Sequence, residues 1–342
     1  MSAFKILSLD GGGIRGAFTA ACLVEIEKSL DRPIAQYFDL IAGTSTGAIV
    51  AAALAFGKPA TEILRFYQEK GRAIFAARPR VPVRCGARLC TAIIRRVLKR
   101  HGIDYDDLIR SRYAAEPLRS ALEVVFEKNT LEAVRCSRLV VPAIDLAIGR
   151  TVVFKTPHLP DMSRDRNYPI ADVLLATTAA PTYFPQATIG KGSAYCDGGL
   201  WANSPGLVAV AEALKIGKSC KREGIDQEFD FGSIQVLSIG TGLLQYSSMP
   251  PAEGPGLAWW GPRIVNVMSI AQAQGVDFQL QYLLQDRYLS VNFNLNDASW
   301  KLDAVQHLDA LIHQGEIRAH EKLGLIRERF CSSLAVPYTP FP

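Results

Sequence analysis

The chain has 342 residues, 49% of them hydrophobic and 21% charged. That composition suits a globular protein with a sizeable core and excludes a disordered or fibrous chain. The formal net charge of +5 is local: Lys70, Arg72, Arg78, Arg80, Arg84, Arg88, Arg95, Arg96, Lys99 and Arg100 fall in one acid-free interval, and the rest of the chain is net acidic.

In chain order, "KILSL" (5–9) reads as a short apolar strand, followed by the glycine run of "LSLDGGGIRG" (7–16). The chain enters this strand almost at once, so no signal peptide is expected and the location is taken as cytoplasmic. "AFTAACLVEIEKSL" has apolar residues at helical spacing and stops at Arg32-Pro33. "FDLIAG" is the next strand, ended by "GTSTG" (43–47), and "AIVAAALAFG" is an apolar helix. The charge-free stretch 40–57 contains Gly43, Thr44, Ser45, Thr46 and Gly47, which reads as strand, turn and buried helix and not as a membrane span. "PATEILRFYQEKGRAIF" is a further helix. "RLVVPAIDL" and "TVVFKT" are strands, "IADVLLATTAA" is a helix, and "SAYCDGGLWANSP" is a strand running into a glycine turn. "NSPGLVAVAEALK" opens a helix with Pro205 near its first turn, and "SIQVLSIGTG" is a strand with a glycine-rich end.

Strands alternating with helices imply a three-layer α/β/α fold with a mainly parallel central sheet. One domain is expected over 1–342, with a basic helical insertion at about 70–103 and a mostly helical C-terminal part at about 264–330. The tail "VPYTPFP" is expected to be loosely ordered. The seven cysteines form no C-x-x-C pair and read as reduced and mostly buried. In such folds ligands sit beyond the carboxyl ends of the strands. The glycine turns 11–13, 43–47 and 197–199 should therefore converge, with "GTG" (240–242) at the rim.

"GTSTG" fits the nucleophile elbow G-x-S-x-G in its required strand–turn–helix setting. Ser45 would then project from a sharp turn at a helix N-terminus, where developing negative charge is favoured. Gly43 and Gly47 let the neighbouring elements approach; the plainer alternative is a glycine/serine turn. A serine nucleophile needs a base. His101, His307, His313 and His320 fall in the basic segment or the helical C-terminal part, and none ends a core strand. His158, in "FKTPHLPD", is the one histidine to keep in view. An aspartate also serves when positioned and partly desolvated. Asp197 in "YCDGG" ends a strand, and Gly198 and Gly199 would permit an unusual backbone that aims its carboxylate.

The set "DGGGIRG" (10–16), "GTSTG" (43–47) and "DGG" (197–199), in that order, resembles the patatin-like phospholipase family. "ATTAAPTYFP" (176–185) is similar to a stretch common in it, and the resemblance covers roughly residues 4–245. It implies a lipid acyl hydrolase with a Ser–Asp dyad and neither cofactor nor catalytic metal. Carried over, Ser45 is the nucleophile and Asp197 the base. Gly11, Gly12 and Gly13 supply oxyanion-hole N–H groups, and Arg15 braces that loop or helps polarise the site. The wording near the N-terminus also looks like bacterial members of the family, some of which are antiphage effectors switched on by cyclic oligonucleotides. No motif for such a nucleotide stands out, although the basic residues at 70–100 could serve.

Two other readings stay open here. Gly11–Gly16 fits the dinucleotide fingerprint G-x-G-x-x-G, which would make an oxidoreductase. That reading wants an acidic residue at the end of the next strand. Here the strand ends in Ser45, Asp39 begins it, and Asp10 would face incoming phosphates. The third reading is a non-catalytic lipid or nucleotide sensor on the same fold. On a helical wheel, "ARLCTAIIRRVLKR" (87–100) gathers Leu89, Cys90, Ile93, Ile94, Val97 and Leu98 on one half and Arg88, Arg95, Arg96 and Lys99 on the other. Such a helix suits an anionic bilayer surface, here the inner face of the membrane, or packs on the core with a solvated basic face. It lacks the interleaved aromatics of a DNA or RNA binder. A homo-oligomer is left open, as are the lipid headgroup and acyl position.

Overall fold

The computed structural model describes residues 3–79, 92, 95–97, 105–106, 109–190, 193–223, 229–244, 254, 256–261, 263–295 and 299–341. Eight strands form one sheet: β1 (Phe4–Leu9), β2 (Leu40–Gly43), β3 (Arg138–Asp145), β4 (Arg150–Lys155), β5 (Ala187–Ile189), β6 (Ser193–Asp197), β7 (Ile234–Ile239) and β8 (Tyr288–Val291). The run β3-β2-β1-β7-β8 is parallel, and β4, β5 and β6 are antiparallel additions on the β3 side. All six residues of β1 are buried, as befits a central strand covered on both faces.

Side chains alternate between two cores, as a period of two requires. Leu7, Leu9, Ile41, Leu237 and Ile239 face one core, whereas Phe4, Ile6, Leu40, Ala42, Ile234 and Val236 face the other. The first core is covered by α1 (Gly16–Lys28), α2 (Thr46–Ala55), α3 (Ala60–Ile74), α4 (Glu116–Phe126), α5 (Ile170–Thr178) and α8 (Leu308–Phe330). The second is covered by α6 (Gly206–Glu223) and α7 (Ile264–Leu284). This is the three-layer α/β/α arrangement with a mainly parallel sheet.

Helix α2 is buried on every side, so its uniformly apolar sequence reflects its position inside the first layer. It can approach the sheet because Gly47 has no side chain: a Cβ there would lie 2.3 Å from Leu9 O and 2.6 Å from Asp10 O.

The C-terminal part is mostly helical, in α7 and α8, and between them it supplies β8, which extends the sheet beyond β7. One expectation needs correcting. The tail is tied down along the edge opposite the glycine turns. Ala335 N–H donates to Gln36 O (2.8 Å), Phe341 N–H donates to Pro157 O (2.7 Å), and Tyr338 is buried under the Arg138 guanidinium. Pro337 and Pro340 preset an extended path that these contacts fix. Among the described residues no helix is long and apolar enough to cross a membrane.

Candidate active site

The register of the strands brings three turns together. Leu9 is paired with Gly43, so the chain leaves β1 and β2 side by side. Strand β3 pairs with β2 through Arg138–Val140 and with β6 through Ala143–Asp145, while β4 occupies its other flank. Strand β6 therefore takes over the flank of β3 where β2 ends, and runs towards it. The ends of β2 and β6 meet nearly head-on, with Ser45 following one and Asp197 closing the other.

Ser45 has φ 53° and ψ −124°, a left-handed conformation that costs a non-glycine residue of order 1–3 kcal/mol. It is over-determined by its surroundings. Ser45 N–H donates to Thr177 Oγ1 (3.0 Å), and the Thr177 hydroxyl donates to Pro142 O (2.6 Å). Ser45 Oγ donates to Asp197 Oδ2 at 2.6 Å, and Gly199 N–H donates to Asp197 Oδ1 at 2.7 Å. Both side chains are buried. Burial pushes the Asp197 carboxyl up to about 6, against the opposing effect of the Ser45 and Gly199 hydrogen bonds. A carboxylate raised that far can take a proton and return it near neutral pH.

The glycine loop faces this pair. Gly13 has φ +59°, and a Cβ on it would collide with Leu302 O at 2.2 Å. Gly11 departs from expectation: its N–H donates to Asn203 O (3.0 Å), which removes it from the donors available to an oxyanion. The amides of Gly12 and Gly13 donate to no acceptor among the described residues. Arg15 is buried and braces the loop, with Nε donating to Gly12 O (3.3 Å) and Nη1 to Gly242 O (3.4 Å). Gly198 also differs: its φ −64° and ψ −18° are ordinary helical values. Its bare Cα serves close packing instead, since a Cβ would lie 2.3 Å from Pro142 O. Gly43 has the same purpose against Gly47 O.

Thr177, Asn203 and Thr241 had no separate signal in the sequence. The Thr241 hydroxyl donates to Gly11 O (2.8 Å), which fixes the glycine loop from β7. Thr177 and Asn203 lie in the stretches 176–185 and 193–205 singled out above, but their partners are remote in the chain. His158 is buried between the Thr156 hydroxyl and Glu212 Oε1, and burial lowers its pKa. It is a satisfied core histidine, and no histidine is among the described residues lining the site.

Ser45, Asp197, Gly12 and Gly13 open onto a cavity of about 350 Å³ whose lining includes Ile49, Phe66, Ile74, Phe75, Leu118 and Phe184. A bonded Ser–Asp pair, unpaired amides and an apolar pocket on one cavity suit an ester with a hydrocarbon chain.

The patatin-like phospholipase family model matches residues 7–210, which takes in all three glycine turns. The chain belongs to the patatin-like phospholipase family. A cGAMP-activated phospholipase of Pseudomonas aeruginosa is 33% identical over 290 residues, covering 84% of this patatin-like chain and 78% of the relative. One of Escherichia coli is 37% identical over 254 residues, covering 72% and 64%. Patatin-like protein 2 of Arabidopsis thaliana is 28% identical and covers 91% of this chain and 81% of its own. Among solved structures, VipD from Legionella pneumophila aligns over 95% of this chain and 67% of its own, with TM-score 0.43 and 12% identity.

In the basic segment, Arg95 pairs with Asp106 (2.8 Å) and stacks over Tyr105. Arg96 and Val97 are exposed. Lys99, Arg88, Arg100 and most of the predicted amphipathic helix lie outside the described residues.

Proposed function

We propose that this chain is a lipid acyl hydrolase that cleaves membrane phospholipid esters through Ser45 and Asp197. The observation that carries the reading is the 2.6 Å hydrogen bond between Ser45 Oγ and Asp197 Oδ2, made at the base of an apolar cavity. Asp197 accepts the hydroxyl proton as Oγ attacks the ester carbonyl. The amides of Gly12 and Gly13 receive the charge that develops on the carbonyl oxygen. Asp197 then gives the proton to the departing lysolipid. A water molecule repeats the cycle on the acyl-enzyme and frees the fatty acid.

The proposal extends to regulation, because the relatives from Pseudomonas aeruginosa and Escherichia coli are cGAMP-activated phospholipases. A cyclic oligonucleotide is the activator expected here, in defence against phage. One domain works at the inner membrane face, with the exposed Arg96 more available than Arg95 to anionic lipid.

The test is fatty-acid release from mixed phospholipid vesicles, with and without cGAMP. Ser45→Ala and Asp197→Asn should each lower the rate by ~10⁴-fold or more, as losses of a nucleophile or its partner do elsewhere. Wild-type release by either variant would sink the pair. Release indifferent to cGAMP would remove the activator while leaving the hydrolase.

A further inference from the structure

A run of glycines has more backbone freedom than any other sequence, so amides that must point at an oxyanion need ties from outside the loop. Arg15 holds Gly12 O (3.3 Å), the carbonyl of the peptide whose amide belongs to Gly13. The next peptide is held from the C-terminal part, where Ile14 N–H donates to Leu302 O (2.8 Å). Gly13 passes so close to that carbonyl that a Cβ on it would lie 2.2 Å away. Leu302 also lines the reaction cavity.

Leu302 lies in neither strand nor helix. With Asp303 it forms the middle of a turn that Ala304 N–H closes on Lys301 O (3.1 Å). The Asp303 side chain anchors this turn. Its Oδ2 accepts from the Tyr113 hydroxyl (2.6 Å) and from Arg112 Nη1 (2.9 Å). Bonds to a carboxylate of this kind are about twice as strong as neutral ones. Arg112 and Tyr113 are fixed in turn: Arg112 N–H donates to Thr182 O and Tyr113 N–H to Tyr183 O, each at 2.8 Å. The buried Tyr113 ring packs on Phe75 and Phe184, with centroids 5.4 and 5.7 Å away. Phe75, Tyr183 and Phe184 all line the cavity. Asp303 therefore joins the aromatic wall of the cavity to the turn that holds the glycine loop.

We propose that Asp303 is a positioning residue for ester cleavage: gripped by Tyr113 and Arg112, it sets the turn whose Leu302 carbonyl keeps the Gly12 and Gly13 amides aimed at the oxyanion. The proposal rests on the reading of Ser45 and Asp197 as the reacting pair. Asp303 touches no reacting atom. Its effect belongs to the transition state, because the donors it aims are needed only when charge develops on the carbonyl oxygen.

The experiment compares wild type, Asp303→Ala, Asp303→Asn and Tyr113→Phe, each checked for folding by circular dichroism. It measures kcat and KM on a soluble short-chain ester and the affinities of two inhibitors. One is a trifluoromethyl ketone, which Ser45 Oγ attacks to give a hemiketal whose oxygen carries the negative charge. The other is an uncharged ether analogue of the ester, which fills the cavity and forms no oxyanion. Asp303→Ala should lose ~10²-fold in kcat, comparable to an oxyanion donor, and bind the ketone more weakly by a similar factor. Its KM and its affinity for the ether should change little. Asp303→Asn keeps an acceptor oxygen for Tyr113 and should recover part of the loss. Tyr113→Phe removes one hydrogen bond, should lose ~10-fold in kcat and in ketone affinity, and decides the case if Asp303→Ala does not fold. Wild-type kcat in the folded variants overturns the proposal, as does an equal loss of affinity for ketone and ether. A fluorophosphonate probe mapped by mass spectrometry reports the nucleophile independently. Failure to label Ser45 in the wild type would bring down the Ser45–Asp197 reading and this role with it, whereas a labelled Ser45 with wild-type kcat in Asp303→Ala removes Asp303 alone.

Discussion

At the scale of single residues, the site depends on where Asp197 keeps its proton. Burial favours the neutral acid, and two hydrogen bonds favour the carboxylate. The balance near 6 leaves the group ionised at neutral pH, with more affinity for a proton than an exposed aspartate has. The sign follows: only ionised Asp197 can accept the Ser45 proton, so activity should fall as pH drops through about 6. A pH profile of kcat/KM reads this limb for the free enzyme. Activity that stays flat down to the ordinary aspartate range would show that Asp197 is not the titrating base. Ser45 and Asp197 were legible in the sequence because each sits in a short glycine motif with a recognisable setting. Thr177 was not, because its role arises only when Ser45 N–H arrives from 132 residues away. Gly11 was misread for a related reason. Its bare backbone suits an oxyanion donor, and only the folded chain reveals that Asn203 O already occupies the amide.

At the scale of elements, α2 and β1 make a close contact beside the site. Their backbones meet where Gly47 crosses Leu9 and Asp10, with no volume for a methyl group. Gly47→Ala should therefore push α2 away from the sheet and cost about 1–3 kcal/mol, the range of an overpacked core position. Because Ser45 immediately precedes α2, the same variant should lose esterase activity at temperatures where it remains folded. Urea unfolding with a parallel activity assay checks both, and wild-type stability would contradict the geometry. The long periodic helices and apolar strands were readable because burial imposes their periods on the sequence. Strand β8 was not, since "YLSV" is four residues long, follows a helix directly, and gains its identity only by pairing with β7. Likewise β5 is a three-residue edge strand, too short to display a pattern.

At the scale of the whole molecule, the family match ends at residue 210, but the sheet does not. Strand β1 lies between β2 and β7 and pairs with β7 along its whole length, Phe4 with Ile234 through to Leu9 with Ile239. Helix α1 packs against α8 so closely that a Cβ on Gly315 would lie 2.5 Å from Phe18 O. The glycine loop is also held from beyond residue 210: Thr241 binds Gly11 O, Leu302 O accepts from Ile14 N–H (2.8 Å), and Arg15 reaches Gly242 O. A fragment ending at residue 210 would leave β1, with Phe4, Ile6, Leu7 and Leu9, as an open edge whose row of unpaired amides and carbonyls invites aggregation. It would also lack three of the contacts that shape the loop facing Ser45. Such a fragment should be insoluble, or unfold without a cooperative transition, even though it contains Ser45, Asp197 and all three glycine turns. Removing only residues 331–342 should be milder. It takes away Tyr338 and the backbone bonds to Gln36 and Pro157, at the edge of the sheet far from Ser45. A loss of about 2 kcal/mol there would lower the melting temperature by roughly 2–8 °C and leave kcat unchanged at 25 °C. Thermal circular dichroism on both truncations separates the cases. A cooperative, esterase-active 1–210 fragment would show that the family core holds its catalytic loop without β7, β8 and α8.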